Sequence, residues 1–214
     1  MSDLFSDHAT PEGTEALADG AMVLRGFVAD DTGVLDAVAA ITAQAPFRHL
    51  VTRGGFRMSV AMTNCGELGW FSDRRGYRYT STDPGSGQPW PAIPPMLLQL
   101  AHDAAERAGF AGFKPDACLI NRYVVGARMT LHQDRDEGNL DAPIVSVSLG
   151  IPAVFQFGGF ERTGPTLRTP LFHRDVVVWG GPSRLRFHGV LPLKAASHAL
   201  TGECRINLTF RAAK

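Results

Sequence analysis

Nothing constrains the fold of this chain more than the rhythm of its second half. From Ala117 onward, short runs rich in β-branched and aromatic residues follow one another at 118–125, 144–149, 154–157, 166–172, 175–179, 184–191 and 206–211, separated mostly by segments containing Gly, Pro or Asp. Short strands at such intervals form sandwiches, barrels and jelly rolls. Helices are few. Residues 94–109 begin with two prolines, carry Leu97, Leu98, Leu100, Ala101, Ala104 and Ala105, and stop at Gly109, the asymmetry expected of a helix packed on the outside of a sheet. A shorter helix is expected from Asp31 through Val34, Leu35, Val38 and Ile41, after a strand at 21–28. Residues 1–20 read as a loose polar leader. The expected architecture is mainly β with flanking helices (α+β), a single domain over 1–214 with a jelly-roll core, a double-stranded β-helix, at 117–214.

Composition narrows the function classes. The formal net charge is zero, which argues against a wholesale polyanion-binding surface but leaves room for local basic patches. Lys114, Lys194 and Lys214 are the only lysines among 21 basic residues, and arginine is the better residue for bidentate carboxylate and phosphate contacts. Cys65, Cys118 and Cys204 are odd in number and scattered, fitting neither a zinc site nor a disulfide framework. No secretory signal or membrane span is visible. A soluble, monomeric, cytoplasmic protein is expected, with no membrane partner.

The chemistry centres on His132-Gln133-Asp134. On an extended strand, residues two apart point to the same side. An imidazole and a carboxylate so placed, joined by a distant imidazole such as His188, make the facial triad that holds non-haem Fe(II) with open positions. The spacing alone is weak evidence, because a surface His and Asp produce it by chance. The last strand adds to it: Arg205, Asn207, Thr209 and Arg211 share one face, Ile206, Leu208 and Phe210 the other. A polar face with two arginines suits a cavity holding an anion, since a buried unpaired guanidinium is costly. An edge strand with its polar face in water explains the pattern equally well. Asn121 and Tyr123 project together in the same way, as neutral donors to a carboxylate or as packing.

Residues 47–95 differ in character. Aromatics, arginines and turn residues alternate through Arg53, Gly54, Gly55, Phe56, Arg57, Trp70, Phe71, Arg74, Arg75, Gly76, Tyr77, Arg78 and Tyr79. Stacking surfaces between guanidinium groups suit unpaired bases and their phosphates. A hairpin-rich flap with a solvated arginine face is the plainer reading.

Together, Asn121-Arg122-Tyr123, His132-Gln133-Asp134, His188 and the Arg205/Arg211 pair resemble, in order and spacing, the AlkB family of Fe(II)/2-oxoglutarate-dependent dioxygenases, which remove alkyl groups from nucleic-acid bases. Trp70, the Tyr77 region, Asp136-Glu137 and the segment from Trp179 to Arg184 resemble the bacterial DNA-repair members, and the resemblance covers nearly the whole chain.

That resemblance implies several roles. His132, Asp134 and His188 would ligate Fe(II). Arg205 would pair with the far carboxylate of 2-oxoglutarate, with Asn121 and Tyr123 donating to it and Asn207 beside it, while Arg211 faces the other end. O2 would be the oxidant, with ascorbate helpful in vitro. Trp70 would stack on a flipped base. Asp136, helped by Glu137, would favour a cationic alkylated base and accept from its amine. Tyr77, Thr52, Arg75 and Arg162 would contact the strand. The implied reaction is oxidative demethylation of bases such as 1-methyladenine and 3-methylcytosine in alkylated DNA, single-stranded or with the base flipped, and also in RNA, releasing formaldehyde, succinate and CO2. Trp70 as a core aromatic and Asp136-Glu137 as a solvated charge cluster stay open.

Arg186 stands where an apolar residue would fit a dry pocket better. His173 and His198 read as structural or surface residues, since neither has a paired carboxylate at useful spacing in the chain. Two other functions stay open: a 2-oxoglutarate oxygenase acting on a small molecule or protein side chain, and a non-enzymatic jelly-roll binding module.

Overall fold

The period-two pattern of the last strand is resolved by its neighbours. In the computed structural model, which describes residues 13–214, Arg205–Arg211 lies between Ile144–Gly150 and Ala117–Tyr123, antiparallel to both. It is a central strand, buried along its whole length. The reading of an edge strand with a wet polar face is thereby corrected. Its polar residues face an internal cavity instead.

In chain order the strands are β1 (Gly13–Ala18), β2 (Ala21–Arg25), β3 (Arg48–Val51), β4 (Arg57–Gly66), β5 (Gly69–Asp73), β6 (Gly76–Thr80), β7 (Ala117–Tyr123), β8 (Met129–His132), β9 (Ile144–Gly150), β10 (Ala153–Phe157), β11 (Leu167–Leu171), β12 (Val176–Trp179), β13 (His188–Val190) and β14 (Arg205–Arg211). The helices are α1 (Asp31–Gln44) and α2 (Pro95–Arg107). A large sheet in the order β1-β2-β12-β9-β14-β7-β4-β3 is accompanied by a smaller one, β11-β10-β13-β8, and β5 and β6 form a separate ribbon.

Alternation sorts the large sheet's side chains into two cores. Ile120, Val145, Val147, Val176, Val178, Leu208 and Phe210 pack with both helices. Leu119, Tyr123, Val177 and Trp179 point the other way, into the cluster that also holds Phe155, Phe157 and Val190 of the small sheet. The catalytic candidates belong to this second, inter-sheet layer.

Local chemistry explains the helices. Asp30 caps α1 by accepting from the Gly33 amide at 2.8 Å, satisfying one of the free first-turn donors. Val34, Val38 and Ile41 then fall on one buried face. In α2, Gly109 takes a positive φ of 87°, and the Phe110 amide reaches back to Ala105 O at 2.8 Å. That closure is the Schellman motif that a glycine at this position permits.

Three expectations are corrected. The loose leader of residues 1–20 lies partly outside the described residues, but Gly13–Ala18 is a strand paired with β2. Asp19-Gly20 supplies the two-residue turn, a hairpin signal in the sequence, with Gly20 at φ 70°. The flap expected over 47–95 is in part built into the large sheet. β3 and β4 extend the large sheet, and only the β5–β6 ribbon and the loop after it leave its plane. The strand expected over 184–191 shrinks to His188–Val190, because Gly181–Ser183 forms a 3-10 turn and Arg186 N donates to Ser183 O at 3.1 Å. Among the described residues, no helix is long and apolar enough to cross a membrane.

Candidate active site

β8 and β13 are paired so that His132 and His188 face each other directly across the small sheet. Fifty-six positions apart in sequence, their rings have centroids 4.4 Å apart. β8 ends at His132, so Asp134 lies just beyond the strand, yet its carboxylate turns back to the histidines: Oδ1 is 3.6 Å from His132 Nε2 and Oδ2 is 3.8 Å from His188 Nε2. The candidate ligand atoms of the three side chains all lie within 4.8 Å of one another.

The backbone sets the ring tautomers. His132 Nδ1 is 2.9 Å from Thr130 O, and His188 Nδ1 is 3.0 Å from Arg186 O. A carbonyl can only accept, so each Nδ1 carries the proton and each Nε2 offers its lone pair to the shared space. Burial, then the neighbouring His132, pushes the His188 pKa down to about 3, favouring the neutral ligand form. Burial opposes ionisation of Asp134, but Arg211, His188 and His132 outweigh it and hold the carboxyl well below the usual range. Two neutral imidazoles and one carboxylate with room beside them suit ferrous iron.

The cavity beside these groups is lined by Asn121 and Tyr123 of β7, Ser146 of β9, Trp179 of β12, and Arg205, Asn207, Thr209 and Arg211 of β14. Arg205 is only 2% exposed, and its Nη2 donates to Ser148 Oγ at 2.8 Å. Nε and Nη1 are buried without a partner, as is Asn121 Oδ1. Burial lowers the pKa of this arginine, and the Tyr123 ring lies 5.1 Å from its guanidinium carbon. A guanidinium left this way needs an anion, and a dicarboxylate reaching in from the metal-binding end supplies one. The residues present therefore fit both the iron and the oxo acid.

Arg211 lines the same cavity at its Asp134 end. It spends its fork on Asp134 Oδ2, through Nε at 2.9 Å and Nη2 at 2.8 Å, and its Nε also lies 3.3 Å from Glu137 Oε1. Asn207 lines the cavity while donating to Ser146 Oγ and Val147 O, both at 2.8 Å.

The substrate-side candidates are not gathered in that cavity. Trp70 and Tyr77 stand on the ribbon, stacked on each other at 5.4 Å, and Tyr77 is 52% exposed. Asn64 fixes Trp70 by bonding both its amide and its carbonyl at 3.0 Å. Arg75 sits in the ribbon turn, Thr52 in the turn between β3 and β4, and Arg162 is exposed in the loop after β10. Asp136 and Glu137 diverge. Asp136 is exposed, and burial followed by repulsion from Glu137 raises its pKa. Glu137 is buried and turned inward, accepting from Tyr79 Oη at 2.7 Å and from Arg184 Nη2 at 3.3 Å.

Several residues matter that sequence patterns did not single out for a role. Arg184, 3% exposed, donates to Asp134 O at 2.5 Å and to Ala142 O at 3.0 Å, fastening the segment that carries the carboxylate. Gln133 Nε2 donates to Leu185 O at 2.6 Å and ties the same segment to the approach to His188. Trp179 walls the cavity 4.7 Å from the His188 ring, its indole N–H buried and unpartnered. Its alternation with Val178 was the available signal. His173 has a structural part: its Nε2 lies 2.7 Å from Asp31 Oδ2, and the His198 ring lies 4.1 Å away, tilted by 33°. Asp31 comes from α1, so no short spacing announces the pair.

Fold and site together define the class. Residues 20–211 match the family model of the 2OG-Fe(II) oxygenase superfamily, and the chain is an Fe(II)- and 2-oxoglutarate-dependent dioxygenase that uses O2. It is 56% identical over 214 residues to the alpha-ketoglutarate-dependent dioxygenase AlkB of Salmonella typhimurium, covering all of this chain and 98% of that one, and 56% identical over 215 residues to AlkB of Escherichia coli, with the same coverage. The solved structure of OsALKBH1 superposes with a TM-score of 0.81 at 28% identity, over 93% of this chain and 99% of that one. Within the superfamily, the chain belongs to the AlkB family.

Proposed function

We propose that this enzyme removes alkyl groups oxidatively from damaged nucleic-acid bases, DNA bases such as 1-methyladenine and 3-methylcytosine foremost, as a monomer working in the cytoplasm on single strands or flipped bases. The observation that carries the reading is the pairing of two features in one molecule. A His132/Asp134/His188 cluster, with Asp134 and His188 buried and His132 half-buried, is backed by an anion-hungry Arg205, and a stacked Trp70–Tyr77 pair stands on a ribbon outside that cavity.

In this reading His132 Nε2, His188 Nε2 and an Asp134 oxygen hold the iron. Arg205 neutralises the far carboxylate of 2-oxoglutarate, with Asn121 and Tyr123 beside it. Bound together, Fe(II), 2-oxoglutarate and O2 supply an oxidation that ends in succinate, CO2 and an alkyl carbon lost as formaldehyde. The protein keeps the cosubstrate dry, fixes the imidazole tautomers and orients the base. Alkylation of a Watson–Crick edge prevents pairing, so extruding such a base costs less than extruding a normal one. Trp70 offers a stacking face, and Asp136 an exposed carboxylate that favours a cationic base. Glu137 contributes indirectly, as the inward brace of the same loop.

The test is incubation with matched single-stranded oligonucleotides bearing 1-methyladenine, 3-methylcytosine or no adduct, with Fe(II) and 2-oxoglutarate, following base mass and formaldehyde. Return of the unmodified base mass with formaldehyde, only for the adduct-bearing strands, is expected. Succinate formation stimulated by a small molecule or protein side chain, with none by the adducts, would favour the other oxygenase reading.

A further inference from the structure

Arg186 is a cation without a carboxylate partner among the described residues. Its Nη1 donates to Gly158 O at 3.0 Å, and its Nε is buried with no partner. The guanidinium carbon lies 5.2 Å from the Phe160 ring and 5.8 Å from the Phe157 ring. Phe157 is buried, whereas Phe160 is 58% exposed.

The surrounding backbone fixes this group beside the active site. Arg186 O accepts from His188 Nδ1 at 3.0 Å, and Gln133 donates to the preceding carbonyl, Leu185 O. On the other side, Phe187 N bonds Gly159 O at 2.9 Å and Gly158 N bonds Phe187 O at 2.7 Å. Residues 185–187 are thus stitched between the candidate metal cluster and the turn that carries Phe160. The exposed Arg162 follows two residues later in the same loop.

We propose that Arg186, held against Phe157 and Phe160, binds a backbone phosphate of the nucleotide next to the target base. The inference rests on the nucleic-acid reading above and adds a contact to it. A half-buried guanidinium with no internal anion retains an unspent charge, and a phosphodiester is the anion such a substrate carries in every nucleotide. Stacking on aromatic faces pre-orders the fork, so little side-chain freedom remains to be lost on binding. A small neutral substrate would leave both the charge and the exposed ring without use.

The test compares wild type with Arg186→Gln and Arg186→Lys on a methylated single-stranded oligonucleotide and on the corresponding methylated nucleoside, which has no phosphate, across a series of salt concentrations. In Arg186→Gln the ratio of oligonucleotide KM to nucleoside KM should rise about tenfold at low salt. Its log KM against log salt should flatten by roughly 0.7, the value of one single-strand phosphate contact. Arg186→Lys should keep most of the slope. An unchanged salt slope in Arg186→Gln, or an equal rise of KM for nucleoside and oligonucleotide, would overturn the inference, the second outcome tracing the effect to His188 instead. If wild type itself leaves the methylated oligonucleotide untouched, the proposed function falls first. If wild type is active and the variants keep its slope, only the phosphate contact falls.

Discussion

Arg211 closes Nε and Nη2 on a single oxygen of Asp134, Oδ2, at 2.9 and 2.8 Å. Both side chains are buried, so the pair carries the charge balance of the cavity before any metal enters. The contact also orients the carboxylate, with its other oxygen, Oδ1, 3.6 Å from His132 Nε2.

Removing Arg211 should therefore cost more without metal than with it. Arg211→Met leaves a buried carboxylate short of its main cation, a loss of about 3 kcal/mol in the metal-free protein. Fe(II), added without oxygen, supplies a replacement positive charge and should narrow the difference in urea denaturation. An equal loss with and without metal would contradict this role.

Arg205 should show the opposite sign. Its guanidinium is buried with two nitrogens unpartnered, so Arg205→Met removes an uncompensated charge. The metal-free, cosubstrate-free protein should gain about 1 kcal/mol, while the KM for 2-oxoglutarate rises by at least about tenfold. Thermal melts of the metal-free protein read the first effect and steady-state kinetics with varied 2-oxoglutarate the second. A variant that is less stable and keeps its KM would remove Arg205 from the cosubstrate site.

The adjacent acids Asp136 and Glu137 separate by the same logic. Glu137→Ala strands Arg184 and Tyr79 and should cost about 3 kcal/mol of stability. Asp136→Ala, at an exposed position, should stay within about 0.5 kcal/mol of wild type. It should also lose preference for cationic adducts over neutral ones, measured as a kcat/KM ratio. Equal stability losses in the two variants would refute the division.

How much of this was legible in sequence depended on whether the partners were local. The β pattern after Ala117 announced the jelly roll, whereas alternation along Arg205–Arg211 announced a polar face without deciding whether a cavity or water lay before it. His132 and Asp134 could be paired from spacing. His188 was a candidate by residue type, and the resemblance selected it, because its proximity is created by β8–β13 pairing rather than by chain distance. Asp136 and Glu137 were both expected at the substrate base, Glu137 as a helper, since neighbours in a chain do not reveal which one turns inward. That choice is made by Arg184, forty-seven residues downstream of Glu137. The β1 strand was missed for another reason: Gly13–Ala18 has a mostly exposed face and gains its order from pairing with β2.

His198 gives a pH dependence. Burial, then the neighbouring His173, lowers its pKa below the ordinary 6.5. The unfolded chain therefore takes up the proton more readily than the folded one, so this contribution to stability is complete above that value and is lost as pH falls below it. The Tm drop between about pH 7.5 and 5.5 should be smaller in His198→Gln than in wild type. An identical drop would show that the histidine pair carries no such linkage.

The central claim is that one cluster, His132/Asp134/His188 backed by Arg205, couples consumption of 2-oxoglutarate to repair of a base. Simultaneous measurement of succinate and formaldehyde with a 1-methyladenine oligonucleotide tests it most directly, for wild type and Asp134→Ala. The two products should form in a ratio near one, roughly one oxo acid per methyl removed, and both should vanish in Asp134→Ala. Formaldehyde released equally by the Asp134→Ala variant, or succinate formed by wild type with no formaldehyde at all, would contradict the account.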